Sequence, residues 1–163
     1  MENRKPKLDI VDQKILQILQ RDGKISYVDL AKRVHLSTTP CFERVRRLEE
    51  AGYIECYVAR LNAEKLELAL LAFVEISLDR TNPTSFDEFR KSVADLPSVQ
   101  ECHMIAGGFD YLLKVRVANM AAYRRFLGDR VTGLPGVSRT HTYFVMEEIK
   151  VTMELPIANT KGK

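Results

Sequence analysis

The sequence predicts an α+β protein in two parts, helical up to residue 62 and mixed from 63 to 163. Three observations carry this. Apolar residues recur at three- and four-residue spacing up to Gly52. From Leu70 onward they alternate or run continuously in strand-like segments, and two helix-like stretches interrupt those segments in the order β-α-β-β-α-β. With 163 residues, 45% of them hydrophobic, the chain can bury a sizeable core.

In the first part, LDIVDQKILQILQRDG places Val11, Ile15, Ile18 and Leu19 on one helical face, with Asp9 as cap and Gly23 as stop. ISYVDLAKRVHLS gives a second helix. Ser26 caps it with Asp29 three residues on, and Leu30, Ala31 and Val34 face inward. After a short turn at His35-Leu36, Ser37 opens a third helix with Pro40 in its first turn, and Gly52 ends it. A short helix, a tight turn and a second helix on a longer preceding one form a helix-turn-helix.

At about 100° per residue, Cys41, Val45 and Leu48 of the third helix point to the core. Thr39, Glu43, Arg46, Arg47 and Glu50 point outward, with Arg44 flanking. Glu43 is spaced to pair with Arg46 and Arg47, so a solvated salt-bridge face is one reading. The other is DNA binding. Ser37, Thr38 and Thr39 stand at a helix N-terminus, where hydroxyls, backbone N–H groups and the dipole favour a phosphate, and Lys32 and Arg33 can anchor the preceding helix to the backbone. YIECYVARLN alternates like a strand or β-ribbon wing, in which Tyr53 or Tyr57 packs or touches DNA. Asn62 to Leu68 reads as a link, with the domain boundary at 62/63.

In the second part, LLAFVEISL, VQECHMIAG, DYLLKVRV and VSRTHTYFVMEEIK read as strands. PTSFDEFRKSVADLP and NMAAYRRFLGDRVTGLPG read as helices. This is the ferredoxin-like plan, an antiparallel sheet with two helices on one face. Apolar residues on both faces of two strands predict a second sheet as cover, hence a dimer. The tail MELPIANTKGK is expected to be partly disordered. AGGFDY, spanning Gly107, Gly108, Phe109, Asp110 and Tyr111, is the odd segment. One reading is a β-turn with positive-φ glycines and Asp110 capping the next strand. The other is a ligand loop, its N–H groups receiving a carboxylate and Asp110 an ammonium, which together recognise a free amino acid.

Charge and chemistry bound the function. The net charge of +3 is too small to identify a nucleic-acid binder. Residues 1 to 60, however, hold 12 Lys/Arg against 9 Asp/Glu, while the remainder holds 13 of each. No apolar run is long enough to span a bilayer, and MENRKPK lacks a signal-peptide core. Cys41, Cys56 and Cys102 are too few and scattered for a disulfide framework, so a reduced cytoplasmic protein is expected. His35, His103 and His141 lack metal-ligand spacing, and no P-loop, G-x-S-x-G or G-x-G-x-x-G occurs. No enzyme, cofactor or metal is therefore expected.

LDIVDQKILQILQRDGKIS, LAKRVHLSTTPCFERVRRLEEAGYI, ECHMIAGGFDYLLKVRV, LPGV and YFVMEEIK together resemble the Lrp/AsnC transcription factors, from about Lys7 to Lys150. The resemblance implies a winged helix-turn-helix joined to an effector-sensing βαββαβ domain. It also implies dimers that assemble into octamers or larger rings on double-stranded DNA, at the nucleoid. By resemblance, Ser37, Thr38, Thr39, Arg44 and Arg47 fall near the DNA. The effector, a free amino acid such as leucine, falls near Gly107, Asp110 and Tyr111, with Met104, Met120 and Tyr143 as pocket wall. Gly108 stands where leucine-responsive members carry an acidic residue, which bears on the effector's identity and affinity. The alternative is an RNA-recognition-like platform, whose third strand carries a glycine-aromatic signature that GGFDYLLKV nearly imitates. Asp110 would repel a phosphate chain there.

Overall fold

The computed structural model describes residues 8–80 and 82–157. Its contacts form two compact units. One runs to Arg60 and takes in the segment from Lys150 onward; the other is Leu61–Ile149. The sequence predicts residues 63 to 163 as one domain, whereas by contacts Lys150 onward goes with the first unit.

In the first unit, α1 (Ile10–Leu19), α2 (Tyr27–Val34) and α3 (Thr38–Glu50) enclose a core of Ile15, Leu30, Ala31, Val34, Cys41, Val45 and Leu48. Asp9 and Asp12 form a reciprocal capping box at the start of α1. Ser26 accepts from Asp29 N at 3.1 Å to start α2. Both α2 and α3 end in a doubly bonded C-terminal motif that turns the chain through a left-handed residue. After α3 that residue is Gly52 (φ 71), with Tyr53 N bonded to Leu48 O and Gly52 N to Glu49 O. After α2 it is His35 (φ 58), with Leu36 N bonded to Ala31 O, so a histidine makes the turn of the helix-turn-helix. Gly23 does not stop α1; the helix ends at Leu19 with Gln20 as cap.

Two expectations for this unit are corrected. Residues 54–62 carry no strand: among the described residues no backbone ladder joins them to another segment. Tyr53 and Ile54 pack on the core instead, and Tyr57 donates to Glu49 Oε1 at 2.8 Å beside Gly23. The tail up to residue 157 is held in place. Gln20 exchanges two hydrogen bonds with Leu155, Gln17 donates to Ile157 O, and Arg21 pairs with Glu154 at 2.9 Å. The rest of the expected disorder falls on residues 158–163, outside the described residues.

The second unit is the βαββαβ plan: β1 (Leu70–Leu78), α4 (Pro83–Ala94), β2 (Val99–Met104), β3 (Tyr111–Val117), α5 (Met120–Phe126) and β4 (Val137–Phe144). The strands are antiparallel in the order β2-β3-β1-β4. Strand alternation sends Ala72, Val74, Ile76 and Leu78 of β1 and Tyr111, Leu113, Val115 and Val117 of β3 toward the helices, where they meet Phe89, Val93, Tyr123 and Phe126. The long second helix of the sequence reading is interrupted. After Phe126 it widens into a π-turn over Leu127–Val131, where Thr132 Oγ1 donates to the Gly128 carbonyl. The opposite sheet face mixes Phe73 and Leu112 with Glu75, Lys114 and Arg116, all half-buried.

Candidate DNA interface and ligand site

The N-terminal end of α3 is uncapped by side chains and open to solvent. Ser37 is the N-cap, but its hydroxyl makes no capping bond, and Ser37, Thr38 and Thr39 are all exposed. They stand beside the first N–H groups of the helix, at the positive end of its dipole. Lys32 reaches Asp29 only at 3.4 Å and stays highly exposed, and Arg33 has no ion pair among the described residues.

The basic triplet of α3 divides. Arg46 lies on the outer face and pairs with Glu50 at 2.7 Å. Arg44 and Arg47 turn back to α1. Arg44 bridges Asp9 and Asp12, and Arg47 Nη2 lies 2.8 and 2.7 Å from the two oxygens of Asp12. Asp12 is 2% exposed, the one buried charged residue among those described, while the side chains of Arg44 and Arg47 keep 28% and 51% exposure. The expected pairing of Glu43 with Arg46 and Arg47 does not form: Arg47 goes to the buried Asp12 carboxylate, and Arg46 to the exposed Glu50 one turn further on. Burial works against the charged form of Asp9, but the Asp12 N–H and Arg44 together hold its pKa below the ordinary value. The sequence reading missed Asp12. The Asp9-x-x-Asp12 spacing, with Ile15 three residues further on the core side, was the signal.

The residues expected at the effector site fall in three places within one chain: Met104 and Gly107 to Tyr111 around the β2–β3 turn, Met120 at the start of α5 and Tyr143 on β4. Asp110 closes the turn after β2: its Oδ2 accepts from Leu78 N at 2.7 Å, its N donates to Ile76 O and its O accepts from Ile105 N. Neither Gly107 nor Gly108 has a positive φ, so the glycines serve no backbone constraint there. Nothing lies within 4 Å of where a Cβ on Gly108 would stand, so its surroundings are open. Phe109 is half-buried in the turn. Met104, on the edge strand β2, pairs with Tyr111, whose ring is 2% exposed and stacked on Phe89 at 4.4 Å. Met120 opens α5 beyond the far end of β3, a strand of seven residues that spans roughly 20 Å. Tyr143 lies on the open face of β4, its ring 4.6 Å from His141. Burial of Tyr111 also removes the aromatic that an RNA platform would display on β3, where the open face offers Leu112, Lys114 and Arg116.

Fold and surfaces together define a class: a helix-turn-helix module of three helices carried on the same chain as a βαββαβ module. Two family models match, the winged helix-turn-helix DNA-binding model over residues 8–55 and the Lrp/AsnC ligand-binding domain over residues 71–155. The chain is 54% identical over 150 residues to the leucine-responsive regulatory proteins of Escherichia coli K12 and of Klebsiella pneumoniae, covering 92% of each sequence. Its fold matches that of a Neisseria meningitidis transcriptional regulator solved as an L-Met complex, at TM-score 0.89 and 39% identity over 92% of this chain and 97% of that one. An AsnC-family regulator from Agrobacterium tumefaciens superposes at TM-score 0.87 and 38% identity, over 91% and 97%. The chain belongs to the Lrp/AsnC family of transcriptional regulators. No helix among the described residues is long and apolar enough to cross a membrane.

Proposed function

We propose that this protein controls transcription from the nucleoid as a sequence-specific DNA binder, working by binding alone, and that a small apolar amino acid such as leucine or methionine sets its assembly state and its grip on DNA. The observation that carries this reading is the pairing of a bare, hydroxyl-lined helix N-terminus with a ligand-binding module, in a chain alike to leucine-responsive regulators across 92% of its length. Ser37, Thr38, Thr39, Lys32, Arg33 and Arg46 meet the phosphates and base edges, while Arg44 and Arg47 hold the reading helix against α1. Glu43, exposed beside them, discriminates against wrong contacts by repulsion.

The effector residues Gly107, Gly108, Phe109, Asp110 and Tyr111, with Met104, Met120 and Tyr143, lie at separate places on one unit. The sensing site is therefore completed by a second copy, through a homodimer and its higher assemblies. An amino acid bound between copies shifts the spacing of paired reading helices, which engage half-sites about one helical turn apart. The coupling is reciprocal.

The test is fluorescence anisotropy of a labelled promoter duplex in a salt series, with and without leucine and methionine. We expect affinity to fall steeply with salt and one amino acid to shift the midpoint by about 5- to 150-fold. A protein that ignores double-stranded DNA at modest ionic strength, or one whose DNA binding no amino acid alters, overturns the reading.

A further inference from the structure

The second unit holds an open cavity of about 460 Å³ between α4 and the edge strand β2, lined by Arg90, Val93, Val99, Cys102, Met104 and Tyr111. Ala94, Gln100 and Glu101 complete the lining, with the Glu101 carboxylate engaged by Lys114 at 2.8 Å and His103 at 3.2 Å. Its size falls in the range of small-molecule sites, which run from about 300 to 1,000 Å³. Its chemistry is divided. Val93, Val99, Cys102 and Met104 make an apolar wall, and at one end stand a guanidinium and a phenol.

The phenol is the anomaly. Tyr111 is stacked on Phe89 and edge-on to Phe86 (6.1 Å), which fixes the ring, and the residue borders the cavity. That hydroxyl is fully buried and has no hydrogen-bond partner. Leaving a buried hydroxyl unpaired costs about 1–3 kcal/mol, and phenylalanine would fill the same stack without that cost. Arg90 stands close enough to act on the phenol: burial, the larger influence, raises its pKa and Arg90 lowers it, yet no hydrogen bond of good geometry joins them. Arg90 is also lightly held. It meets Asp87 at 3.2 Å in an exposed i,i+3 pair and Met104 Sδ at 4.0 Å. Both Arg90 and Met104 are exposed, so they can swing aside to admit a ligand to the hydroxyl.

We propose that this cavity binds a small carboxylate with a short apolar body, the carboxylate bridging the Arg90 guanidinium and the Tyr111 hydroxyl and the body lying on Val93, Val99 and Met104. The phenol then donates the bond it lacks, and the guanidinium supplies a charge-assisted one. The residues that hold the carboxylate lie within one chain and need no ammonium on the ligand; a second copy completes the sensing site around them. It deepens the amino-acid reading above by naming a receiver for the carboxylate end of the effector, and it rests on that reading only for the identity of the natural ligand.

The experiment is isothermal calorimetry and thermal shift on the full chain, using L-leucine and 4-methylpentanoate, which is leucine without its ammonium. Wild type, Arg90→Met and Tyr111→Phe are compared. We expect 4-methylpentanoate to bind wild type and to lose about tenfold or more in affinity in each variant, the worth of one charge-assisted bond. Tyr111→Phe alone, without ligand, melts no lower than wild type, because it removes an unpaired hydroxyl; this separates a lost contact from a lost fold. If leucine binds and shifts DNA affinity but both variants bind as wild type does, the cavity is not the site while the amino-acid reading stands. If 4-methylpentanoate binds through Arg90 and no amino acid binds at all, the site stands and the amino-acid reading falls. If 4-methylpentanoate does not bind wild type, the proposal is overturned.

Discussion

Replacing Asp12 with Asn tests the buried ion pairs most directly. The carboxylate is 2% exposed and takes three contacts of 2.7–2.8 Å from Arg44 and Arg47. Removing one partner from a fully buried ion pair costs about 3–5 kcal/mol, mostly because the other charge is left buried and unpaired. Here the guanidiniums keep 28% and 51% exposure, so water can replace much of what they lose. Arg44 also retains Asp9. That lowers the expected cost to about 2 kcal/mol. Because the chain has two units, a single melting curve is a poor probe of the first. Hydrogen exchange at the amides of α1 and α3 reads it locally. We expect their protection to fall about 30-fold, with no change in β1 and β3, and DNA affinity to fall with it as the reading helix loosens. Protection unchanged in α1 and α3 would refute the claim that Asp12 fastens the two helices together.

Other predictions follow from single contacts. Asp110→Ala removes the acceptor for Leu78 N and should cost about 1–2 kcal/mol of stability. It should also blunt the amino-acid response, and thermal denaturation beside the anisotropy assay separates the two effects. His35→Gly should stabilise the first unit by about 1 kcal/mol and Gly52→Ala destabilise it by a similar amount, since both positions are left-handed and nothing crowds Gly52; urea titration followed by exchange in α2 and α3 checks both. Asp9 and Glu101 have pKa values held below their ordinary 3.8 and 4.5. Each adds stability that is complete above those values and drains away as pH falls through the lower folded-state pKa. An acid titration by circular dichroism should therefore show loss of structure beginning below about pH 4; flat stability from pH 5 to 2 contradicts it.

The regular elements were legible because each carries its own local signal. Asp9 and Ser26 announce helix starts, Gly52 a helix end, and the alternation in YLLKVRV a strand with one buried face. What the sequence hid are pairings between distant residues. Arg47 reads as an outward charge on a helical wheel, because the wheel knows nothing of Asp12, 35 residues earlier, on the helix packed against it. The strand expected at 53–62 has the right composition, but a strand is a property of two segments, and among the described residues no backbone ladder joins it to another. Gly107 and Gly108 suggested a left-handed turn that the backbone does not make. The unpaired phenol of Tyr111 was invisible for the same reason: a missing bond has no sequence signature.

The return of the last residues to α1 changes how the two units are wired. The sensing unit is an insertion, leaving the helical unit after Arg60 and rejoining it at Lys150, and those two crossings begin side by side, with Arg60 Nη1 3.3 Å from the Val151 carbonyl. A module hung on one thread is released by a single cut, whereas one spliced in at two points stays tethered until a protease has cut twice.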